Sequence, residues 1–542
     1  MRPPWWRNAC IYAIDVATFC DTNGDGWGDL AGVRSRLDYV AGLGANCVWL
    51  LPFYRTPYRD NGYDVSDYLS VDPRFGDLAD FAELMAEADD LGIRVLVDLV
   101  VQHTSDRHPW FRQAVEDARS PYRDFYIWAD TPDDTSVSPI FPGEEDSVWT
   151  LDERSGQYYR HVFYHHEPDL DHSNPKVRRE IERVMEFWLR LGVAGFRVDA
   201  VPYMVEQAEN GGDGSTDHYI NDLSRLVRRH RSDGVLLAET DLAPKEYASY
   251  FGGPDGDGFH MQFNFYLNQY IFLSLARQSR EPILRALDEL PEVPIDTQYV
   301  NWLRNHDELD LGRLTDAERA EVNRAFAPDR SMLLYGRGPR RRLAPLLDGD
   351  ERRVQLAYSV LMSLPGAPMV RYGDEIGMGD DMSLPDRLSV RAPMQWSPER
   401  NAGFSGAAAD RLVRPVISDG PFGFERVNVL RQQTETGSLL DRVSGMVRTR
   451  RGLRQIGNGR RRALDLGRDS VLAFLYSDPG GGEQILMINN LADEEAVVSL
   501  PDGLLRGGGV DLFADAAYEK PAPGRASIRL NPYGYRWLRP LI

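Results

Sequence analysis

Ala194-Gly195-Phe196-Arg197-Val198-Asp199-Ala200-Val201 is an apolar run that carries two charges. Side chains alternate faces along a β-strand, so Arg197 and Asp199 share one face while Phe196 and Val198 take the other. An unpaired charge in a buried strand is costly. Two readings answer that cost. One is a structural ion pair of the kind found in cores; the other is a carboxylate kept ionised by a guanidinium, as a nucleophile needs at neutral pH. The stretch alone does not separate them.

Similar β-branched or apolar runs recur on both sides, at residues 11–15, 46–51, 94–101, 235–239, 261–265, 299–303 and 369–372. With 194–200 they make eight expected strands. Helix-period stretches lie between them; Val177, Ile181, Val184, Met185 and Trp188 form one apolar stripe. Strands alternating with helices predict an α/β fold, a (β/α)8 TIM barrel. A doubly wound sheet is the structural alternative, but the glycine-rich phosphate loop expected after its first strand is missing. Residues 102–175 are rich in Asp, Pro, Ser and aromatics, and they read as a small inserted domain after strand three. Beyond residue 454 or so the pattern turns to short strands separated by turns, which predicts a C-terminal antiparallel β-sandwich. The expected division is a barrel over 1–101 and 176–454, an inserted domain over 102–175 and a sandwich over 455–542.

The chain of 542 residues has room for these domains and a sizeable core. Its 62 basic and 83 acidic residues give a net charge of −21, which disfavours nucleic acid or anionic membrane as a partner. Cys10, Cys20 and Cys47 read as buried thiols in a reducing compartment, not as a disulfide framework. The N-terminus has no signal-like apolar stretch and no later segment is long enough to span a bilayer, so a cytoplasmic protein is expected.

In a parallel barrel the C-terminal strand ends converge on one mouth. Here strand three runs into Gln102-His103, strand four carries Arg197 and Asp199, strand five ends in Glu239, and strand seven leads to Asn305-His306-Asp307. Three carboxylates at three strand ends suit glycoside cleavage: one attacks the anomeric carbon, and another protonates the leaving oxygen and later activates the acceptor. Metal-dependent hydrolysis is the rival chemistry, but no His-x-His pair occurs.

Four segments then resemble the signature regions of the α-amylase family, glycoside hydrolase family 13, in that family's order. They are Asp98-Leu99-Val100-Val101-Gln102-His103-Thr104, Gly195-Phe196-Arg197-Val198-Asp199, Leu237-Ala238-Glu239 and Arg304-Asn305-His306-Asp307. Asp60-Asn61-Gly62-Tyr63-Asp64 and Pro393-Met394-Gln395-Trp396 extend the likeness over most of the chain. The resemblance implies Asp199 as nucleophile, Glu239 as general acid/base and Asp307 as transition-state stabiliser. It implies that Arg197 keeps Asp199 ionised, that His103 and His306 bind hydroxyls, and that Tyr63 stacks under the sugar. Asp60 and Arg391 look like the pair that closes the pocket; read without the family, Asp60 is an ordinary turn residue beside Asn61-Gly62. The implied partner is a small α-glucoside of maltose or trehalose size, with no organic cofactor and with homo-oligomerisation left open.

The loop Asp21-Thr22-Asn23-Gly24-Asp25-Gly26-Trp27-Gly28-Asp29 places oxygen ligands at alternate positions and a glycine at the sixth, as in the first part of a calcium loop. Asp21, Asn23, Asp25, Trp27 and Asp29 are the candidate ligands for a structural Ca2+, or Mg2+ in its place. The alternative is a set of Asx-turns without metal. Within the family, the wording of Leu50-Leu51-Pro52-Phe53-Tyr54 and Asn305-His306-Asp307-Glu308-Leu309 resembles trehalose synthases, enzymes that cleave maltose and let the retained glucose attack again. Departures from the family's usual residues are Gln102 for Asn, Arg371 for Tyr, Leu388 for Asn, Thr240-Asp241 for Ala-Asn, and the segment 204–217 with Gly211-Gly212-Asp213-Gly214. They fall around the acceptor side, so an α-glucosidase or a transferase to another small acceptor is the alternative. A non-catalytic transporter partner of amylase shape is disfavoured, because the triad is complete.

Overall fold

Eight short parallel strands close into a barrel: β1 (Ile11–Ile14), β2 (Cys47–Leu50), β3 (Arg94–Leu99), β4 (Gly195–Val198), β5 (Val235–Ala238), β6 (Met261–Phe263), β7 (Gln298–Trp302) and β8 (Ala367–Arg371). Each pairs with its neighbours in sequence, and β8 pairs with β1 to complete the ring. The computed structural model describes residues 3–541 apart from 133–137, 210–215, 253–255, 481 and 525–526. The glycine-rich stretch 211–214 therefore lies outside the described residues.

The period of two along each strand builds two cores. Ile11, Trp49, Leu96, Leu237, Phe263 and Trp302 fill the barrel interior, while Tyr12, Val48, Val97 and Phe196 face the surrounding helices. Helix Pro175–Arg190 shows how the sequence directs this packing. Asn174 caps it through Lys176 N, proline stands in its first turn, and Val177, Ile181, Val184, Met185 and Trp188 are all buried. Gly195 opens β4 with a φ of 151°, and a Cβ there would lie 1.8 Å from the Val235 carbonyl oxygen of β5. Only glycine permits that close approach of the two strands.

Between β3 and helix Pro175–Arg190 the chain leaves the barrel, as its composition predicts. That excursion holds helix Pro109–Glu116 and a three-stranded antiparallel sheet of Trp128–Ala129, Gln157–Arg160 and Trp149–Asp152. At the C-terminal end, strands Arg460–Ala463, Val471–Ser477, Gln484–Asn490, Tyr535–Pro540 and Gly509–Ala514 form one antiparallel sheet, in that spatial order. A two-stranded sheet, Ala496–Ser499 with Ser527–Leu530, covers one face: Val498 and Ile528 pack with Leu475 and Leu486. The other face lies on the barrel layer, where Trp537 Nε1 donates to Ser359 Oγ at 2.9 Å and Tyr476 OH donates to the Ser363 carbonyl at 2.8 Å. Burial on both faces explains why Val471-Leu472-Ala473-Phe474-Leu475-Tyr476 is apolar throughout instead of alternating. No helix of the described residues is long and apolar enough to cross a membrane.

Candidate active site

Arg197, near the end of β4, holds its guanidinium inside the barrel mouth, 2% exposed. It gathers three carboxylates. Nη1 donates to Asp98 Oδ1 at 2.7 Å and to Asp199 Oδ1, and Nη2 pairs with Glu239 Oε1 at 2.8 Å. The parallel register sets Asp98 of β3 directly beside Arg197, and Asp199 and Glu239 follow the ends of β4 and β5. Between them Ala200 takes a left-handed φ of 47°, and its N–H donates to Glu239 Oε2 at 3.0 Å. That backbone strain sits where two candidate catalytic carboxylates meet.

Burial without full neutralisation sets the protonation of this cluster. Glu239 is pushed up to about 7, by burial first and by Asp199 in addition, against the pull of Arg197. Burial and Asp98 raise Asp199 to about 6, with Arg197 holding it down. At neutral pH the cluster therefore has an ionised Asp199 beside a Glu239 that can carry a proton. Asp307 is different. Burial alone would raise it, but Arg387 and Arg391 outweigh that effect and hold it well below the usual carboxylate range. Arg391 Nη2 donates to Asp307 Oδ1 at 2.8 Å, and Arg387 Nε lies 3.3 Å from the same oxygen.

Neutral histidines complete the floor. Burial draws His103 down to about 4 and takes His306 well below its ordinary value. Tyr63 stacks on His306, with ring centroids 5.5 Å apart and planes within 4°, and its hydroxyl lies 2.9 Å from His306 Nε2 and 3.2 Å from Asp98 Oδ2. His103 Nδ1 is 2.9 Å from Gln102 Oε1, and its Nε2 faces the Tyr63 carbonyl at 3.2 Å. These groups open onto one cavity of about 370 Å³, lined among others by Asp60, Tyr63, His103, Asp199, Glu239 and Asp307. That volume suits a small-molecule ligand. The excursion supplies one wall through Phe141 and Phe163, and Phe141 meets Tyr335 of the barrel loops at 5.1 Å.

Of the two residues expected to close the pocket, Asp60 lines the cavity, whereas Arg391 turns its guanidinium to Asp307 and its Nε to the His306 carbonyl. Arg387 also lines the wall, stacked over Phe141 at 4.8 Å and paired with Glu308 at 2.8 Å. Asp60 itself lines the cavity and is raised to about 6 by burial, with Arg391 and Arg387 opposing.

The alpha-amylase catalytic-domain family matches residues 13–459, and the maltogenic-amylase C-terminal domain family matches residues 461–537. The chain belongs to the α-amylase family. Trehalose synthases of Thermus thermophilus and Pimelobacter sp. R48 are 41% and 40% identical to it, each over 99% of this chain. The chain spans 55% of the length of the first and 96% of the second. A glucan 1,6-alpha-glucosidase of Streptococcus pneumoniae is 31% identical over 91% of this chain and 93% of its own. Among solved structures, a trehalulose synthase variant in complex with Tris superposes with a TM-score of 0.78 at 26% identity, covering 99% of this chain and 100% of the other. This α-amylase-family enzyme thus has relatives named as synthases and as glucosidases.

Two residues of the site were not singled out from sequence. Asp98 interrupts the apolar strand β3, a signal of the same kind as Arg197, but its partner is set by inter-strand register. Arg387 lies in an irregular loop where no periodicity marks it. The departures Thr240 and Asp241 also find places: Thr240 is buried against Gln262, while Asp241 accepts from Arg313 Nε at 3.0 Å on the cavity rim. Leu388 sits in the short turn Asp386–Val390 between Arg387 and Arg391.

The loop 21–29 shows the turns of its alternative reading. Asp21 Oδ1 accepts from Asn23 N and Gly24 N, Asn23 Oδ1 from Asp25 N, and Asp25 Oδ1 from Trp27 N. Asp29 receives Thr22 and caps the helix Leu30–Ser35 through Gly32 N. Among the described residues no three His, Cys, Asp or Glu side chains converge as a metal cluster.

Proposed function

We propose that this chain is a retaining α-glucosyl-transferring enzyme acting on maltose- or trehalose-sized α-glucosides, interconverting maltose and trehalose. The observation that carries this is the single guanidinium shared by Asp199 and Glu239, with burial pushing Glu239 up to about 7, above Asp199. Sharing one guanidinium keeps the two carboxylates close, the arrangement of a double displacement. Asp199 attacks the anomeric carbon as Glu239 gives its proton to the departing oxygen, leaving a glucosyl ester on Asp199. A hydroxyl of the retained glucose then gives its proton to Glu239 and attacks, which releases Asp199. Asp307, held ionised by its arginines, stabilises the positive charge that develops on the sugar ring. Tyr63, His103 and His306 hold the terminal glucosyl unit, and Asp60 and Arg387 bound the far end of the cavity.

Hydrolysis is the second reading. Asp241 and Arg313, on the acceptor side of the cavity, are each 37% exposed, which brings water to the position where glucose would attack. Incubation with maltose, followed by NMR of the products, separates the two: trehalose with little free glucose supports isomerisation, and glucose alone removes it. Asp199→Asn serves as the control and is expected to abolish either reaction while the circular dichroism spectrum stays unchanged.

The same proposal includes the division into a barrel (1–101 and 176–454), an inserted domain (102–175) and a C-terminal domain (455–542). It also includes a structural cation at loop 21–29. Asp21, Asn23, Asp25 and Asp29 side chains and the Trp27 carbonyl form a hard-oxygen donor set suited to calcium, and its contribution is to brace the loop.

A further inference from the structure

The segment that carries His306 and Asp307 is gripped from beneath by three different arginines. Arg371 Nη1 donates to the Asn305 carbonyl at 2.7 Å, Arg391 Nε to the His306 carbonyl at 2.9 Å, and Arg304 Nη2 to the Asp307 carbonyl at 2.6 Å. Three consecutive carbonyls thus end on three guanidiniums. Arg304 and Arg371 are buried, 2% and 3% exposed, and neither has an ion-pair partner among the described residues. Burial draws both down to about 10, so both remain charged at neutral pH. A buried cation without a direct ion pair is costly, and carbonyl oxygens, with the charge of Asp374 beyond them, offset the cost here.

Arg371 does more than cap one carbonyl. Its Nη2 donates to the Val390 carbonyl, one residue before Arg391, while its Nη1 holds Asn305, two residues before Asp307. One guanidinium therefore joins the loop after β7 to the loop after β8, next to both members of the Asp307–Arg391 pair. We propose that Arg371 is a positioning residue that holds Asp307 and Arg391 in register for the sugar-cleaving step. The proposal rests on the catalytic reading of Asp307 given above.

The test uses the full-length enzyme with maltose and with an aryl α-glucoside, comparing Arg371→Met and Arg371→Lys with the parent. Misplacement of a catalytic group by about 1 Å costs on the order of 10²-fold in rate. Arg371→Met is therefore expected to lose roughly 10- to 100-fold in kcat with KM changed by less than about threefold, and Arg371→Lys to recover part of the loss. Amide hydrogen exchange across residues 303–310 is expected to quicken in the Met variant. A folded Met variant with parental kcat overturns the proposal, as does unchanged exchange in that segment. If the Met variant does not fold, Arg371→Lys is judged by the same two readouts. A parent enzyme that cleaves no α-glucoside removes the functional reading alone, since hydrogen exchange still reports whether Arg371 holds the segment.

Discussion

Arg197 faces Asp98, Asp199 and Glu239 at once, so one positive charge is shared by three acids, and burial pushes Glu239 up to about 7. The pH dependence follows. On the proposed roles, Asp199 must be ionised to attack and Glu239 protonated to donate, so activity is expected to fall below about 6 and above about 7. The expected profile of kcat/KM is a narrow bell with its optimum between these limbs, measured on maltose across pH 5–9. Glu239→Gln is expected to lower turnover about 10²–10⁴-fold on maltose and to remove the alkaline limb. At this scale Asp199, Glu239 and Asp307 were legible in the chain, because charged residues at the ends of apolar strands stand out. Asp98 and Arg387 were not. Which acid meets Arg197, and which arginine reaches the cavity, depends on strand register and loop path, neither of which leaves a local pattern.

At the scale of elements, all eight barrel strands appeared within a few residues of their expected places, since each is a short apolar run between helical stripes. Gly195 tests the closeness of β4 and β5. Gly195→Ala is expected to destabilise the fold by about 3 kcal/mol, read from urea unfolding, because its Cβ has no room beside Val235. The loop 21–29 tests the proposed cation. With calcium at one hundred times its Kd, chelation is expected to remove about 2.7 kcal/mol of stability, seen as a lower Tm. An unchanged Tm on chelation leaves the loop standing on its Asx-turns alone. The alternating Asp, Asn and Asp of this loop serve turns and ligands equally well, so its sequence does not choose between them.

At the scale of the whole molecule, the C-terminal sheet is pressed between its own small second sheet and the barrel. Trp537 is fully buried at that junction and anchored to Ser359. Trp537→Ala is expected to cost about 3–5 kcal/mol and to lower the Tm of the entire chain, because the cavity opens between two bodies that share a core. A calorimetric scan in which only a separate C-terminal transition moves would contradict that shared core. The sequence by itself determined the barrel, the excursion after β3, the C-terminal strands and the three acids at the strand ends. Periodicity and isolated polar residues in apolar runs are local properties of a chain. Only the tertiary structure decided that Arg197 serves three carboxylates, that Arg391 pairs with Asp307, and that three arginines grip the segment beneath His306. Those contacts join residues up to about a hundred positions apart, and what brings them together is barrel register and the path of the loops, which no short stretch encodes.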